Sequence, residues 1–447
     1  MQAKTTLGLI ALGAFLFTET ILKAQSPCNK VVVGYWHTFD NKISTVVKLR
    51  DVPCSYNVVN ISFIESTSNS DPTMIFRLDT VYVEKEGEFI NDIKILKSRG
   101  VKVLASIGGA NGHVGLPDAA SKTKFVNSLI VLIDKYGLEG LDIDLEGGSI
   151  SLGAGDGDFK NPKSANIVNL ISAFKQLKAK YGPSFWITMA PETAYVHGGI
   201  TAFAGIWGAY LPVIYGLRNE MEFIHVQYYN AAGNLAKDGN TYNQGTSDFI
   251  VAMTDMLLSG FTISGGQVFP ALREDQIAFG IPSTVGAAPA GGYIANASVN
   301  KALDYITKGI SFGGKYVLSK SYPGLRGIMT WSINWDNISS SKYAWSKNYA
   351  QYFCGSTNLC SSTTVIDINS DSKENLKTFP NPVIDQIYFK NQMSFESLSI
   401  YNANGAVIKQ IQNFNGLSID LKDLPSGIYF VRAINNNQLF QERIIKQ

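Results

Sequence analysis

The chain has 447 residues, 45% of them hydrophobic and 17% charged, the make-up of a globular protein with a sizeable core. Its formal net charge is +2, from 38 Lys and Arg against 36 Asp and Glu, and no basic stripe interrupts the sequence. That balance excludes a nucleic acid as the main partner.

In chain order, Met1 to Ala24 reads as a secretory leader. Lys4 gives a charged start, Leu7 to Phe17 an apolar centre, and Leu22-Lys23-Ala24 a cleavage site before Gln25. The apolar run is too short to span a bilayer, and no later stretch is a candidate, so an exported protein without membrane insertion is expected. In that setting Cys28, Cys54, Cys354 and Cys360 point to two disulfides. His37, His113, His197 and His225 are scattered and suggest no metal site, and nothing calls for a cofactor.

From Val31 the chain alternates short apolar runs with helical stretches. The expected strands are 31–36, 58–64, 101–107, 140–146, 185–189, 223–229, 277–281 and 326–331. Helices are expected to end at Arg99, where Gly100 stops the turn, and to span 122–136, 165–181 and 299–308. Strands rich in β-branched residues between helices indicate a parallel sheet covered on both faces, and eight such units suggest a (β/α)8 barrel. A doubly wound open sheet is the alternative, weakened by the lack of a Gly-rich phosphate loop. Cys28 and Cys54 precede the first two strands, and Cys354 and Cys360 follow the last helix closely. That order suggests pairs 28–54 and 354–360.

The fourth strand, Gly140-Leu141-Asp142-Ile143-Asp144-Leu145-Glu146, alternates aliphatic and acidic residues. Successive strand residues point to opposite faces, so Asp142, Asp144 and Glu146 share one face. Burying acids without purpose is costly, so three in line suggest a site. A barrel gathers its chemistry at the C-terminal strand ends. There lie Trp36, Ser106 with Gly108 and Gly109, Glu146, Glu192, Tyr229 with Asn230, and Trp331.

These residues resemble glycoside hydrolase family 18, the chitinase family, over most of 30–350. Its signature is Asp-x-x-Asp-x-Asp-x-Glu, standing here as Glu139 to Glu146 with Glu139 in place of the first Asp. By parity Glu139 faces away from the other acids, so the change is expected to touch support rather than chemistry. Ser106-Ile107-Gly108-Gly109, Met189-Ala190-Pro191-Glu192, Gln227-Tyr228-Tyr229-Asn230 and Met329-Thr330-Trp331 match further family motifs in order. The resemblance implies Glu146 as general acid and base, with the substrate's own acetamide oxygen as nucleophile. It implies that Asp144 orients the acetamide and that Asp142 beneath shares a proton with Asp144. It further implies that Tyr229 donates to the acetamide oxygen, that Trp331 floors the cleaved sugar, and that Ser106 and Gly108 give the aspartates a hydrogen bond and room. Gln227, Asn230 and Met189 join the substrate contacts. Glu192 reads either as one of these or as a supporting or surface acid. Trp36, Trp207 and Trp335 either stack on outer sugars or pack in the core.

After Cys360 the texture changes. Residues 361–376 are polar and read as a linker, and 377–447 carry short strand-like runs with turn signals, as in a small all-β sandwich. This part resembles the sorting domain of the type IX secretion system, found on exported proteins of Bacteroidetes. The residues are Phe379-Pro380-Asn381-Pro382-Val383, Ile400-Tyr401-Asn402, Gly405, Leu424 to Val431 and Ile444-Ile445-Lys446. A carbohydrate-binding module is the alternative. The domains so expected are a leader (1–24), a catalytic barrel (25–360), a linker (361–376) and a sorting domain (377–447).

Together these resemblances imply a secreted, monomeric chitinase, extracellular or held at the outer-membrane surface. It would retain the anomeric configuration and act on chitin or chitooligosaccharides, with the type IX machinery as its export partner. An endo-β-N-acetylglucosaminidase acting on N-glycans and a chitin-binding lectin are the other readings; the lectin would lack the terminal Glu146. The stretch between strands seven and eight is too short for the family's usual folded insertion, so an open groove and internal cuts are expected.

Overall fold

The computed structural model describes residues 28–360, Asn69 excepted, and 376–447, apart from 377, 403–405 and 436–437. The expected leader and nearly all of the linker lie outside the described residues. Chain contacts divide the protein into units 1–363 and 364–447.

The first unit is a closed barrel. Its parallel strands are β1 (Val31–His37), β2 (Val58–Ser68), β3 (Lys102–Gly109), β4 (Gly140–Leu145), β5 (Trp186–Met189), β6 (Phe223–Gln227), β7 (Ile277–Pro282) and β8 (Gly327–Trp331). They neighbour one another in sequence order, and β1 pairs with both β2 and β8 to close the ring. A ninth strand, Asp71–Phe76, folds back antiparallel on the end of β2 and extends the rim. The main outer helices are α1 (Glu86–Ser98), α2 (Ala119–Tyr136), α3 (Ala165–Tyr181), α4 (Leu211–Leu217), α5 (Ser247–Ser259), α6 (Asn296–Lys308) and α7 (Ala344–Cys354).

Local signals set where β4 begins. Asp118 caps α2 by accepting from Ser121 N at 2.7 Å, and Gly137, left-handed at φ +64, ends the helix with its N–H on the Ile133 carbonyl. Three residues later, at Gly140, β4 begins.

Parity along each strand sorts the core into two clusters. Leu141, Ile143, Leu145, Ile187, Met189 and Trp36 pack outward against the helices. Val33, Tyr35, Leu104, Ala190, Phe223 and Met329 fill the barrel interior. Asp142 and Asp144 fall on the interior face, at 0% and 3% exposure, so the barrel encloses charge as well as hydrocarbon.

The cysteines pair as Cys28–Cys354 and Cys54–Cys360, not as 28–54 and 354–360. Closure of the barrel is the reason. It sets β1 beside β8, so the last helix returns to the segments that precede β1 and β2. Leu359 N donates to Cys54 O at 2.6 Å along this seam.

The second unit is an antiparallel sheet of β9 (Thr378–Phe379), β10 (Gln386–Asn402), β11 (Val407–Asp420), β12 (Gly427–Asn435) and β13 (Gln438–Lys446). A register break between Tyr388 and Met393 divides the long β10: Thr378–Phe379 pairs with its start and β12 with its end. Ile387, Leu398, Ile400, Val431 and Ile444 form this unit's own core. The sheet is continuous through β10, where separate short strands of a sandwich were expected.

Each disulfide closes a loop of more than three hundred residues, with sequence separations of 326 and 306. Removing the second with the double change Cys54→Ser, Cys360→Ser should lower the unfolding free energy by about 2–5 kcal/mol. Both bonds lie at the N-terminal end of the barrel, so turnover should be unchanged. Denaturant unfolding and steady-state kinetics of the variant check both parts.

Candidate active site

Where the interior ladder of β4 emerges from the barrel, the three carboxyls meet three different environments. Asp142, lowest, accepts from Ser106 Oγ at 2.7 Å and Thr188 Oγ1 at 2.6 Å, and from the Tyr35 hydroxyl. His225 Nε2 lies 3.2 Å from its Oδ1. Burial pushes Asp142 up, but His225 and the hydroxyl donors outweigh it, and the net direction is down. The carboxylate is therefore ionised in the middle of the barrel.

Asp144, one step up, is pushed far above the usual carboxylate range by burial, by the charges of Glu146 and Asp142, and by its hydrogen bond to Glu146. Glu146 is also raised, by burial, against the opposing pull of its bonds from Gln227 and Asp144. The hydrogen bond thus joins Asp144 to Glu146, where the family resemblance implied a proton shared between Asp144 and Asp142. Asp142 has four polar neighbours of its own and leaves the proton to the upper pair.

Gln227, at the end of β6, ties this pair down. Its Nε2 lies 2.9 Å from Asp144 Oδ1, 3.0 Å from Glu146 Oε1 and 2.9 Å from the Ala190 carbonyl. Beyond the β4 ladder the backbone is held by phenols. Tyr210 Oη accepts from Leu145 N at 2.7 Å, and the Tyr195 hydroxyl donates to the Gly147 carbonyl. Gly108, at φ +104, lets β3 pass close by: a Cβ there would stand 2.5 Å from the Asp144 carbonyl oxygen.

These groups open into a cavity of about 370 Å³, lined by Asp144, Glu146, Glu192, Gln227, Tyr229, Asn230 and Trp331 among others. Trp331 stacks between Phe63 (centroids 5.7 Å apart) and His37 (5.5 Å). Burial holds the His37 imidazole down at about 4, so it supports Trp331 as a neutral ring. Tyr229 is set by the loop after β7. Asn230 N donates to Gly291 O at 2.9 Å, and Asn230 Oδ1 accepts from Ala290 N at 3.0 Å. Asn230 is left-handed at φ +50, which Asn tolerates through its short polar side chain.

Two expected contacts lie elsewhere. Trp36 is fully buried among Tyr82 and Phe89, with its Nε1 on the Val47 carbonyl at 2.7 Å. Met189 packs in the outer cluster. Both have the wrong parity: Tyr35 and Thr188, one residue earlier in each strand, are the ones that face inward. Trp335 is 7% exposed, while Trp207 is 44% exposed. Glu139 supports the sheet, accepting from Val103 N at 3.1 Å with Lys102 at 3.4 Å. Sequence reasoning passed over Tyr35, Thr188, His225 and Phe63, although counting inward positions on their strands identifies the first three. Among the described residues no group of His, Cys, Asp and Glu is arranged to hold a metal.

Tyr35→Phe deletes one donor to a buried, ionised carboxylate. It should lower stability by about 1–3 kcal/mol, read as a shift of the urea midpoint. An unmoved midpoint would show that Asp142 does not depend on this bond.

The family model for glycosyl hydrolases family 18 matches residues 31–355, and that for the secretion system C-terminal sorting domain matches 377–447. Chitinase D of Niallia circulans is 51% identical over 321 residues, covering 71% of this chain and 60% of that protein. Chitinase ChiA of Flavobacterium johnsoniae is 37% identical over 435 residues, 93% of this chain and 26% of its own length. The crystal structure of a family 18 chitinase from Chromobacterium violaceum matches with TM-score 0.66 and 39% identity, over 73% of this chain and 83% of that one. The chain spans about 60% of the length of the first curated relatives it matches. By these matches, and with its acidic β4 at the mouth of a closed barrel, the chain belongs to glycosyl hydrolases family 18.

Proposed function

We propose that the protein is an exported chitinase that cleaves β-1,4-linked N-acetylglucosamine chains with retention by substrate-assisted catalysis. The observation that carries this reading is the Asp144–Glu146 pair, held by Gln227 at the edge of an aromatic-floored cavity. A retaining enzyme with its own nucleophile needs a second carboxylate on the opposite face of the sugar. Besides Asp142 beneath it, the carboxyl whose charge acts on this pair is Glu192, just after β5 and so beside β4, on the same side as Glu146. Phe39, Phe63 and Trp331 line the cavity away from β4, with Glu65 out on the β2 rim, and this reading takes the substrate's acetamide oxygen as the nucleophile.

In this mechanism Glu146 gives its proton to the glycosidic oxygen as the C1–O bond breaks. The acetamide oxygen bonds to C1 from the other face, forming a cyclic oxazolinium ion. Asp144 receives the acetamide N–H and balances the positive charge, and Tyr229 orients the acetamide oxygen. Water then attacks C1 as the bond from C1 to the acetamide oxygen breaks, and gives its proton to Glu146, restoring the acid, the acetamide and the β-anomer. Asp142 stays ionised and steadies Asp144 from below. Ser106 serves through Asp142, Gln227 through both upper carboxyls, and Asn230 through the loop that sets Tyr229.

The chitinases among the relatives support the substrate, and the sorting domain supports export through the type IX secretion system. Between β7 and β8 the described residues hold a short turn and α6 but no strand, so no folded wall rises there. An open groove admits a chain sideways and favours internal cuts.

Glu146→Gln should reduce turnover of chitooligosaccharides by about 10²–10⁴-fold. Because Glu146 is raised, the wild-type rate should hold toward neutral pH and fall as pH rises through its shifted value. The first product seen by NMR should be the β-anomer; initial α-anomer rules the mechanism out. A high-mannose glycoprotein cleaved in preference to chitooligosaccharides would instead point to an N-glycan substrate.

Internal cutting has its own readout. The viscosity of a soluble chitin derivative should fall early relative to the reducing ends released. Disaccharide accumulating from the first time points at nearly constant viscosity would refute the open groove.

A further inference from the structure

Two carboxyls that line the cavity, Glu65 and Glu192, take no part in the reaction as derived. Glu192 stands half-buried at the end of β5, in the same wall as Asp144 and Glu146. Its backbone is fixed: it bridges to Gln227, whose N–H donates to the Pro191 carbonyl at 2.9 Å, and Tyr195 N donates to its own carbonyl at 3.1 Å. Its side chain, by contrast, has no hydrogen bond or ion pair among the described residues. The charge that acts on it is that of Glu146, and Glu192 in turn acts on Asp144 of β4, on Tyr195 from the helical turn Thr193–Val196 and on Tyr229 just after β6. Among the described residues no Lys, Arg or His lines the cavity, and Glu65 on the β2 rim is the other carboxyl outside the catalytic pair. Burial and the charge of Glu146 push Glu192 up to about 7, so it changes charge near neutral pH.

Its place in the ring of strands gives its address on the substrate. Trp331, on β8, lies opposite β4, while β5 adjoins β4. With the attacked sugar over Trp331 and Glu146 at the leaving oxygen, Glu192 stands on the leaving-group side. A hydroxyl there gives a carboxylate a neutral donor. An ammonium gives it a charge-assisted bond of roughly twice the strength, and each partner favours the ionised form of the other. The sugar under attack must keep its acetyl group, because that group is the nucleophile; the departing sugar is under no such demand.

We propose that Glu192 is a specificity-determining residue for the departing sugar and favours 2-amino-2-deoxyglucose there. The preferred substrate is then a partially N-deacetylated chain, cut between an N-acetylglucosamine and a free glucosamine. The inference rests on the substrate-assisted reading above.

The probe is a mixture of soluble β-1,4 oligosaccharides of mixed, known acetylation, digested briefly at about pH 7. The new non-reducing ends are sequenced by mass spectrometry. Glucosamine should be enriched about tenfold at those ends over unbiased cutting, corresponding to about 1.4 kcal/mol. In Glu192→Gln the enrichment should fall toward one. The ratio is read within a single digest, so a general loss of activity does not move it. Should the variant fail to fold, the wild-type enzyme decides the matter: its enrichment should shrink between about pH 7 and about pH 5 as Glu192 takes up a proton. Unbiased ends from the wild type, an enrichment that survives Glu192→Gln, or one indifferent to this pH change overturns the proposal. A fully acetylated hexamer separates the two readings. If it is cleaved while the mixed ends are unbiased, only the role of Glu192 falls; if it is not cleaved at all, both readings fall.

Discussion

Three carboxyls in line on the inner face of one strand are the constraint to which the rest of the barrel answers. Like charges at successive inward positions of β4 repel, and burial strengthens the repulsion. The protein meets the problem differently at each level. Asp142 keeps its charge because Tyr35, Ser106, Thr188 and His225 surround it, each delivered by a different strand. Asp144 escapes ionisation by holding a proton against Glu146. Glu146, nearest the opening, is stabilised by Gln227 and by access to the cavity. The graded environment leaves one mobile proton at the top of a fixed charge, where the proposed mechanism places its general acid.

The same constraint explains the rigidity of the surroundings. The last turn of β4 has no complete ladder to hold it, and Tyr210 and Tyr195 supply bonds to its backbone instead. Across the mouth, Asn230 laces the end of β6 to the loop after β7, so Tyr229 is placed by two segments at once. Such double anchoring keeps catalytic groups within the narrow tolerances that orientation requires.

Much of this was legible in the sequence, because a strand's alternation is local. The run from Gly140 to Glu146 shows its acidic face without any partner in view, and a helix stop such as Gly100 marks where the next strand begins. What was missed depended on closure or on parity carried across strands. The cysteine pairs follow from β1 meeting β8, a contact between the two ends of the chain that no local pattern encodes. Trp36 lies at the right end of the right strand, but one residue out of phase with the interior. The donors to Asp142 come from four strands, and their common target becomes visible only when the barrel is closed. The C-terminal unit is all-β and antiparallel as expected, but the runs 387–390 and 398–401 belong to one strand, β10, which runs on through a break in register.

The two disulfides give the barrel a property of a ring rather than of a string. Cys28 and Cys54 near the beginning are bonded to Cys354 and Cys360 at the end, so the β1–β8 seam is closed by covalent bonds as well as by the sheet. Everything that makes the site lies between these anchors, and the stretch leading to the sorting domain begins only after Cys360. A protease cutting there severs the chain outside the ring. Such a cut would leave every strand of the barrel without a free end.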